Sequence, residues 1–289
     1  MTENQLTHAR VTTFTQIGTI TRYNFLNYFR ARRFYVMLAI ILIISGLLTG
    51  LVAYYQPASF VSSQVGSLGF YGAGWGGFVN FVVVLSAAFF GGDAISGEFQ
   101  NRTGYFLVPN PIRRAAIYVG KYLAALAASS VILGIFALIM IANVFFYFPG
   151  DPLPWGFVQS VIYAWIYLLA ALALTFAFSS LFKSSSISIL MSVILLLFVF
   201  NVVDTVSSIV VGIEPWFSIT YGAGIVANIL EVPYPQNHLS QSVPIGGGRV
   251  FRIDTYNATV PEGLAILLIY FAVMAIIGLW LFQRKEFTS

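Results

Sequence analysis

The chain has 289 residues, 58% of them hydrophobic and only 8% charged, a formal net charge of +4 and no cysteine. Soluble proteins carry about 25% charged residues, so this composition excludes a soluble enzyme and points to an integral membrane protein, and the missing cysteines exclude disulfide frameworks and thiolate metal sites. At about 20 apolar residues per crossing there is length for about five to seven spans and none for a separate catalytic domain.

Residues 1–33 hold five arginines ahead of any apolar run. Phe14, Ile17, Thr21, Phe25 and Tyr28 recur at spacings of three or four, while Arg22, Tyr23, Asn27, Arg30 and Arg33 fall elsewhere around the helix. That pattern predicts an amphipathic helix in the membrane interface, with its aromatics in the acyl boundary and its arginines among phosphates. No short apolar region with a small-residue cleavage site follows, so a cleaved signal peptide is not expected.

Apolar runs predict spans at 34–55, 70–90, 117–146, 157–182, 187–211 and 263–282. In the second, Gly72 and Gly76 make a small-xxx-small step that lets helix backbones approach. A turn from Pro149 to Pro154 follows the third. Lys183 with Ser184, Ser185 and Ser186 leaves a very short link between the fourth and fifth. Residues 213–262 form the longest loop, with a helix-like piece from Pro215 to Leu230 and then a run rich in proline and glycine.

Six spans place both termini on one side, and 12 of the 14 Lys and Arg residues then share it, leaving Arg249 and Arg252 opposite. The excess of positive charge inside sets the orientation as N-in and C-in. The polar stretch at 93–116 is therefore cytoplasmic. Around it lie Arg102, Arg113, Arg114 and Lys121 against Asp93 and Glu98.

Neither ATP-binding signature is present. Gly120-Lys121 lacks the upstream glycine and is followed by Tyr122 where a Ser or Thr would hold magnesium. His8 and His238 are expected on opposite sides of the membrane, which argues against a zinc site or a histidine relay. The positive charges sit beside spans, a footprint for lipid headgroups and not for nucleic acid. Asp204 alone among the carboxylates is expected at membrane depth, either as a functional charge or as one hydrated near the outer interface.

The order Glu98, Thr103, Leu107, Pro109, Arg113 or Arg114, Gly120, Lys121 between the second and third spans resembles the permease subunits of ABC-2 type transporters. The resemblance implies one all-α transmembrane domain over 1–289, with an N-terminal connecting helix, a cytoplasmic coupling helix between spans two and three, and an external helical segment before the last span. It implies two ATPase subunits as partners, which would hold ATP and Mg2+, and a second permease copy or paralogue. This chain itself would be no enzyme and bind no cofactor.

Contact with the ATPases would fall to Glu98, Gln100, Asn101, Arg102, Thr103, Tyr105, Phe106, Arg113 and Arg114. The cargo path would involve Asn80, Ser86, Phe198, Asn201 and Asp204. The apolar, aromatic spans fit a small hydrophobic or amphiphilic cargo, and the family's usual direction is export across a prokaryotic plasma membrane. Rival readings are an autonomous channel or secondary carrier, for which the spans offer almost no ionisable residues, and a polytopic enzyme acting on lipid with a site built from His238, Arg252 and Asp254.

Overall fold

The protein is described by a computed structural model over residues 12–55, 66–101, 113–244 and 250–285. Six helices are long and apolar enough to cross a membrane. Span 1 is Arg32–Tyr55, span 2 is Gly66–Gln100 with a turn before its last five residues, and span 3 is Arg114–Tyr147. Span 4 is Trp155–Leu181, span 5 is Ser185–Val211 and span 6 is Val260–Arg284. Helices suit such a setting because each satisfies its own backbone where no water can. The fold is an all-α membrane bundle, to which the loop between spans 5 and 6 adds one feature that the sequence reading did not foresee, a β-hairpin of His238–Pro244 (β1) and Val250–Tyr256 (β2).

Spans 2 and 4 form the buried centre of the bundle, while spans 1, 5 and 6 expose most of their surface. Near the hairpin end the core is aromatic. Tyr71 stacks on Phe157 with ring centroids 4.0 Å apart, and Trp75 stacks on Phe136 at 5.4 Å. Trp75 Nε1 donates to Ser160 Oγ at 2.8 Å, and Ser160 passes a hydrogen bond to the carbonyl of Val226. This ties span 2 through span 4 to the loop between spans 5 and 6.

That loop does not hold one helix from 215 to 230. It holds two short ones, Ile219–Ala223 and Ile225–Asn228, with Gly224 between them. They tuck against the bundle because glycines clear the way. A Cβ on Gly222 would stand 2.9 Å from Ile266 Cγ2 of span 6, and one on Gly76 would meet the Cβ of Ala227 at 3.4 Å. Of the Gly72–Gly76 step, Gly76 therefore serves the loop. It lies in a π-helical turn, and Gly72 faces open space.

The interface helix is Thr13–Arg30, capped by Thr12, whose hydroxyl accepts from the Thr15 amide. Ile17, Thr21, Phe25 and Tyr28 of the predicted stripe do share its half-buried face, but that face meets protein where the spacing alone suggested lipid. Phe14 is 86% exposed, whereas the middle of the helix packs against protein. Thr21 donates to the carbonyl of Gly120 at 3.2 Å, and Tyr28 donates to the carbonyl of Phe90 at 2.9 Å. Burial pushes the Tyr28 phenol up, so it remains a donor. The physical reason is Gly120, which leaves a gap in span 3 that Ile20 fills. Arg22, Tyr23, Asn27 and Arg30 stay exposed on the far face.

A Cβ at Gly120 would lie 2.7 Å from Ile20 Cγ2 and 3.2 Å from the carbonyl of Ile17. Gly120→Val should therefore lift the interface helix from span 3 and cost about 1–3 kcal/mol, the usual range for overpacking. The expected readout is a lower melting temperature in detergent together with faster proteolysis near Arg22 and Arg30.

Candidate functional site

Where span 2 stops, the backbone turns at 92–95 and forms the short helix Ser96–Gln100. The turn is tight because Gly92 has no side chain, and a Cβ there would lie 2.6 Å from the carbonyl of Ala88. Five residues cannot satisfy their own amides, since the first four N–H groups of any helix lack partners within it. Span 4 supplies what is missing. Ser179 Oγ accepts from both the Ile95 and Ser96 amides at 2.9 Å.

Charged side chains fasten the same turn. Lys121 of span 3, buried at 7% exposure, donates to the carbonyl of Ala94 at 2.9 Å and to Glu98 Oε1 at 2.5 Å. Arg33 at the start of span 1 pairs with Asp93. Gln100 Oε1 accepts from the amide of Ser185 at 2.8 Å, which caps the start of span 5. Lys285, just past span 6, donates to the carbonyls of Ser180 and Phe182 at 2.9 and 2.8 Å and sits 4.1 Å above the Phe99 ring. Burial, with Lys183 nearby, pushes the Lys285 amine down to about 8. The turn and the short helix together thus reach spans 1, 3, 4 and 5 and the residue just past span 6.

The residues expected to meet a partner separate accordingly. Glu98 and Gln100 are turned toward the bundle, engaged by Lys121 and Ser185. Arg114 Nη1 donates to the carbonyl of Gln283 at 2.7 Å. Asn101 and Arg113 are exposed. Arg102, Thr103, Tyr105 and Phe106, with Leu107 and Pro109, lie outside the described residues.

At the other end two cavities adjoin, sharing Thr220 and Gly224 in their walls. The larger, about 280 Å³, lies between span 5, the two short helices and β2, and Asp204 and Asp254 are on its wall. The smaller, about 110 Å³, reaches inward to Asn80 and Tyr167. Tyr167 donates to Asn80 Oδ1 at 2.8 Å, and Thr220 donates to Asp204 Oδ2 at 2.5 Å.

Of the five expected path residues, the structure therefore brings Asn80 and Asp204 to two adjoining cavities that share Thr220 and Gly224 as walls. The other three are elsewhere. Ser86 is 1% exposed and packed between spans 2 and 3, where Ser129 approaches its carbonyl at 3.5 Å. Phe198 is 62% exposed on the outside of span 5. Asn201 donates to the carbonyls of Leu196 and Leu197 at 3.4 and 2.9 Å. Those carbonyls belong to the π-helical turn Leu195–Val199, which spoils the normal ladder, so Asn201 repairs backbone. Neither this turn nor the second one, Val206–Val211, was visible in the sequence, and neither was Thr220, which joins the two cavities.

The hairpin does gather the residues of the enzyme reading. His238 Nε2 is 2.9 Å from Asp254 Oδ1, and Arg252 Nε is 3.1 Å from the same oxygen and 2.7 Å from Ser240 Oγ. Hydrogen bonds from His238 and Ser240, with Arg252 beside them, hold the Asp254 carboxyl below its ordinary value. Ser240 is engaged by Arg252 and not by His238, so the set lacks the nucleophile-to-base contact that a relay requires. Among the described residues no group of three or more His, Cys, Asp or Glu is placed to hold a metal ion.

Six apolar spans, a polar turn fastened to its neighbours and two adjoining cavities at the opposite end define a multi-pass membrane protein. The family model described as "ABC-2 family transporter protein" matches residues 18–287. The chain belongs to the ABC-2 transporter family, whose members are membrane permeases of ABC transporters. No curated protein matches the chain.

Lys121→Met would leave Glu98 without its buried cation. Removing one partner of such a pair costs about 3–5 kcal/mol, so a large drop in melting temperature is expected, with Lys121→Arg recovering part of it. Lys285 carries a sign that can be checked. Its folded value of about 8 lies below the ordinary 10.5, so between these limits the unfolded chain holds the extra proton and stability rises with pH. Thermal unfolding followed across that window should show the rise, and Lys285→Met should flatten it.

Proposed function

We propose that this chain is the membrane-spanning half of an ATP-driven exporter, oriented with both termini in the cytoplasm of a prokaryotic cell and embedded in its plasma membrane. Two ATPase subunits would dock on the segment that begins at the Ser96–Gln100 helix and hold all the ATP and Mg2+. The chain would perform no chemistry itself. A second permease subunit, a copy or a paralogue, would pair with this one through the exposed faces of the outer spans, and the cargo would be a small hydrophobic or amphiphilic molecule.

The observation that carries this reading is the fastening of the short helix. Lys121, Ser179 and Gln100 join it to spans 3, 4 and 5, so a push on it is a push on the bundle. Closure of an ATPase dimer would then tilt whole helices as a hinge or shear transition between two packed states. Asn101 and Arg113 offer polar contacts at the exposed surface, and Arg102, Thr103, Tyr105 and Phe106 would extend that surface with aromatic anchors of the kind that dominate interfaces.

Co-purification from native membranes should bring down an ATPase, and ATP hydrolysis by the reconstituted complex should drive loss of a lipophilic dye from inside the vesicles. Phe106→Ala should lower hydrolysis stimulated by cargo while the chain remains folded. Ser179→Ala should preserve docking but reduce transport per ATP hydrolysed. Transport by the purified chain alone, without a nucleotide-hydrolysing partner, would overturn the proposal.

A further inference from the structure

The larger cavity at the hairpin end has a chemistry of its own. Its wall carries two carboxylates, Asp204 and Asp254, and no Lys, Arg or His is among its described lining residues. The two acids are not equivalent. Asp254 already faces Arg252 and His238. Asp204 has no cation beside it among the described ion pairs, and its Oδ2 is oriented by the hydroxyl of Thr220. The surroundings reinforce the sign. Asp151, Asp204, Glu214, Glu231, Asp254 and Glu262 all belong to the segments at this end, where the sequence supplies only two arginines and no lysine.

We propose that this cavity is a binding site for an organic ammonium group, with Asp204 as its counter-ion. A bare metal ion is a poor match. Calcium gathers about six to eight oxygens at roughly 2.3–2.6 Å, whereas this wall offers two carboxylates, one of them already engaged, around a space of about 280 Å³. An alkylammonium needs less: one negative charge, room for several carbons and aromatic surface. Tyr221 and Tyr256 are among the lining residues, one face of the Tyr256 ring being stacked on His238, and ring faces attract such cations.

The adjoining cavity supplies a place for an apolar stub. Besides Asn80 and Tyr167 it is walled by Val79, Ala223, Val226 and Ala227. A cationic head at Asp204 with its first carbons directed toward Val79 would occupy both spaces. That this ligand is the cargo, a cationic amphiphile on its way out, rests on the exporter reading; that the cavity binds ammonium does not.

The test uses the full chain in a nonionic detergent without any ATPase, so its failure would leave the exporter reading standing, and failure of ATP-driven transport would not touch it. Choline and its uncharged carbon isostere 3,3-dimethyl-1-butanol are compared by saturation-transfer NMR. Choline should bind saturably and the isostere should not compete. Asp204→Asn should weaken choline by about tenfold or more, in line with the loss of a charged partner, and Asp204→Glu should retain binding. Removing the competing cation with Arg252→Ala should leave affinity equal or tighter. Equal binding of the isostere, unchanged affinity in Asp204→Asn, loss in Asp204→Glu as complete as in Asp204→Asn, weaker binding in Arg252→Ala, or saturation by calcium or magnesium but not by choline would each overturn the proposal.

Discussion

Two backbone amides and one hydroxyl hold the elbow of this protein in place. Ile95 and Ser96 release their N–H groups where span 2 stops, both fully buried, and an unsatisfied buried amide costs about 1–3 kcal/mol. Ser179 takes both. Once that turn is fixed, Glu98 is delivered to Lys121, Gln100 to the start of span 5 and Phe99 to Lys285. The charges are secondary in the geometric sense: they can meet only because span 4 has already settled where the turn lies.

Much of the architecture follows from hydropathy alone, because a span announces itself by length. The site was legible in part. Glu98 and Lys121 fall in one motif, in which the sequence suggests a partner contact for Glu98 and no role for Lys121; that Lys121 reaches back across 23 positions to Glu98 depends on the turn at Gly92, which no periodicity reveals. The stripe on the interface helix was read as lipid-facing because Thr21 and Tyr28 look alike against acyl chains and against Gly120 or Phe90. A polar residue in a span poses the same ambiguity. Asn80, Ser86 and Asn201 are indistinguishable by type, yet one faces a cavity, one lies between helices and one repairs a π-helical turn. Arg252, Asp254 and Tyr256 share one face of β2 at the period of two of a strand, but the neighbouring run rich in proline and glycine reads as loop.

The two ends of the bundle have opposite characters for one physical reason. Cationic side chains at the elbow end find backbone carbonyls and carboxylates to bind: Lys121 at Ala94, Arg114 at Gln283, Lys285 at Ser180 and Phe182. Acidic side chains at the hairpin end find mostly neutral donors: Thr220 for Asp204, Tyr221 and Asn237 for Glu214. Burial and the Glu214 hydrogen bond push the Tyr221 phenol up, which keeps it a donor. Positive charge is consumed at one end in holding elements together, and negative charge at the other remains available to the space it lines.

The link from Leu181 to Ser185 limits what the two helices it joins can do. Four residue steps reach at most about 14 Å when fully drawn out, and Gln100 already caps the second helix at that point. Spans 4 and 5 are therefore pegged together at one tip, like the arms of a pair of tweezers, and can part only at the other. Any widening between them must grow with distance from that tip, toward Trp155 and Val211, so the covalent chain itself dictates which mouth gapes.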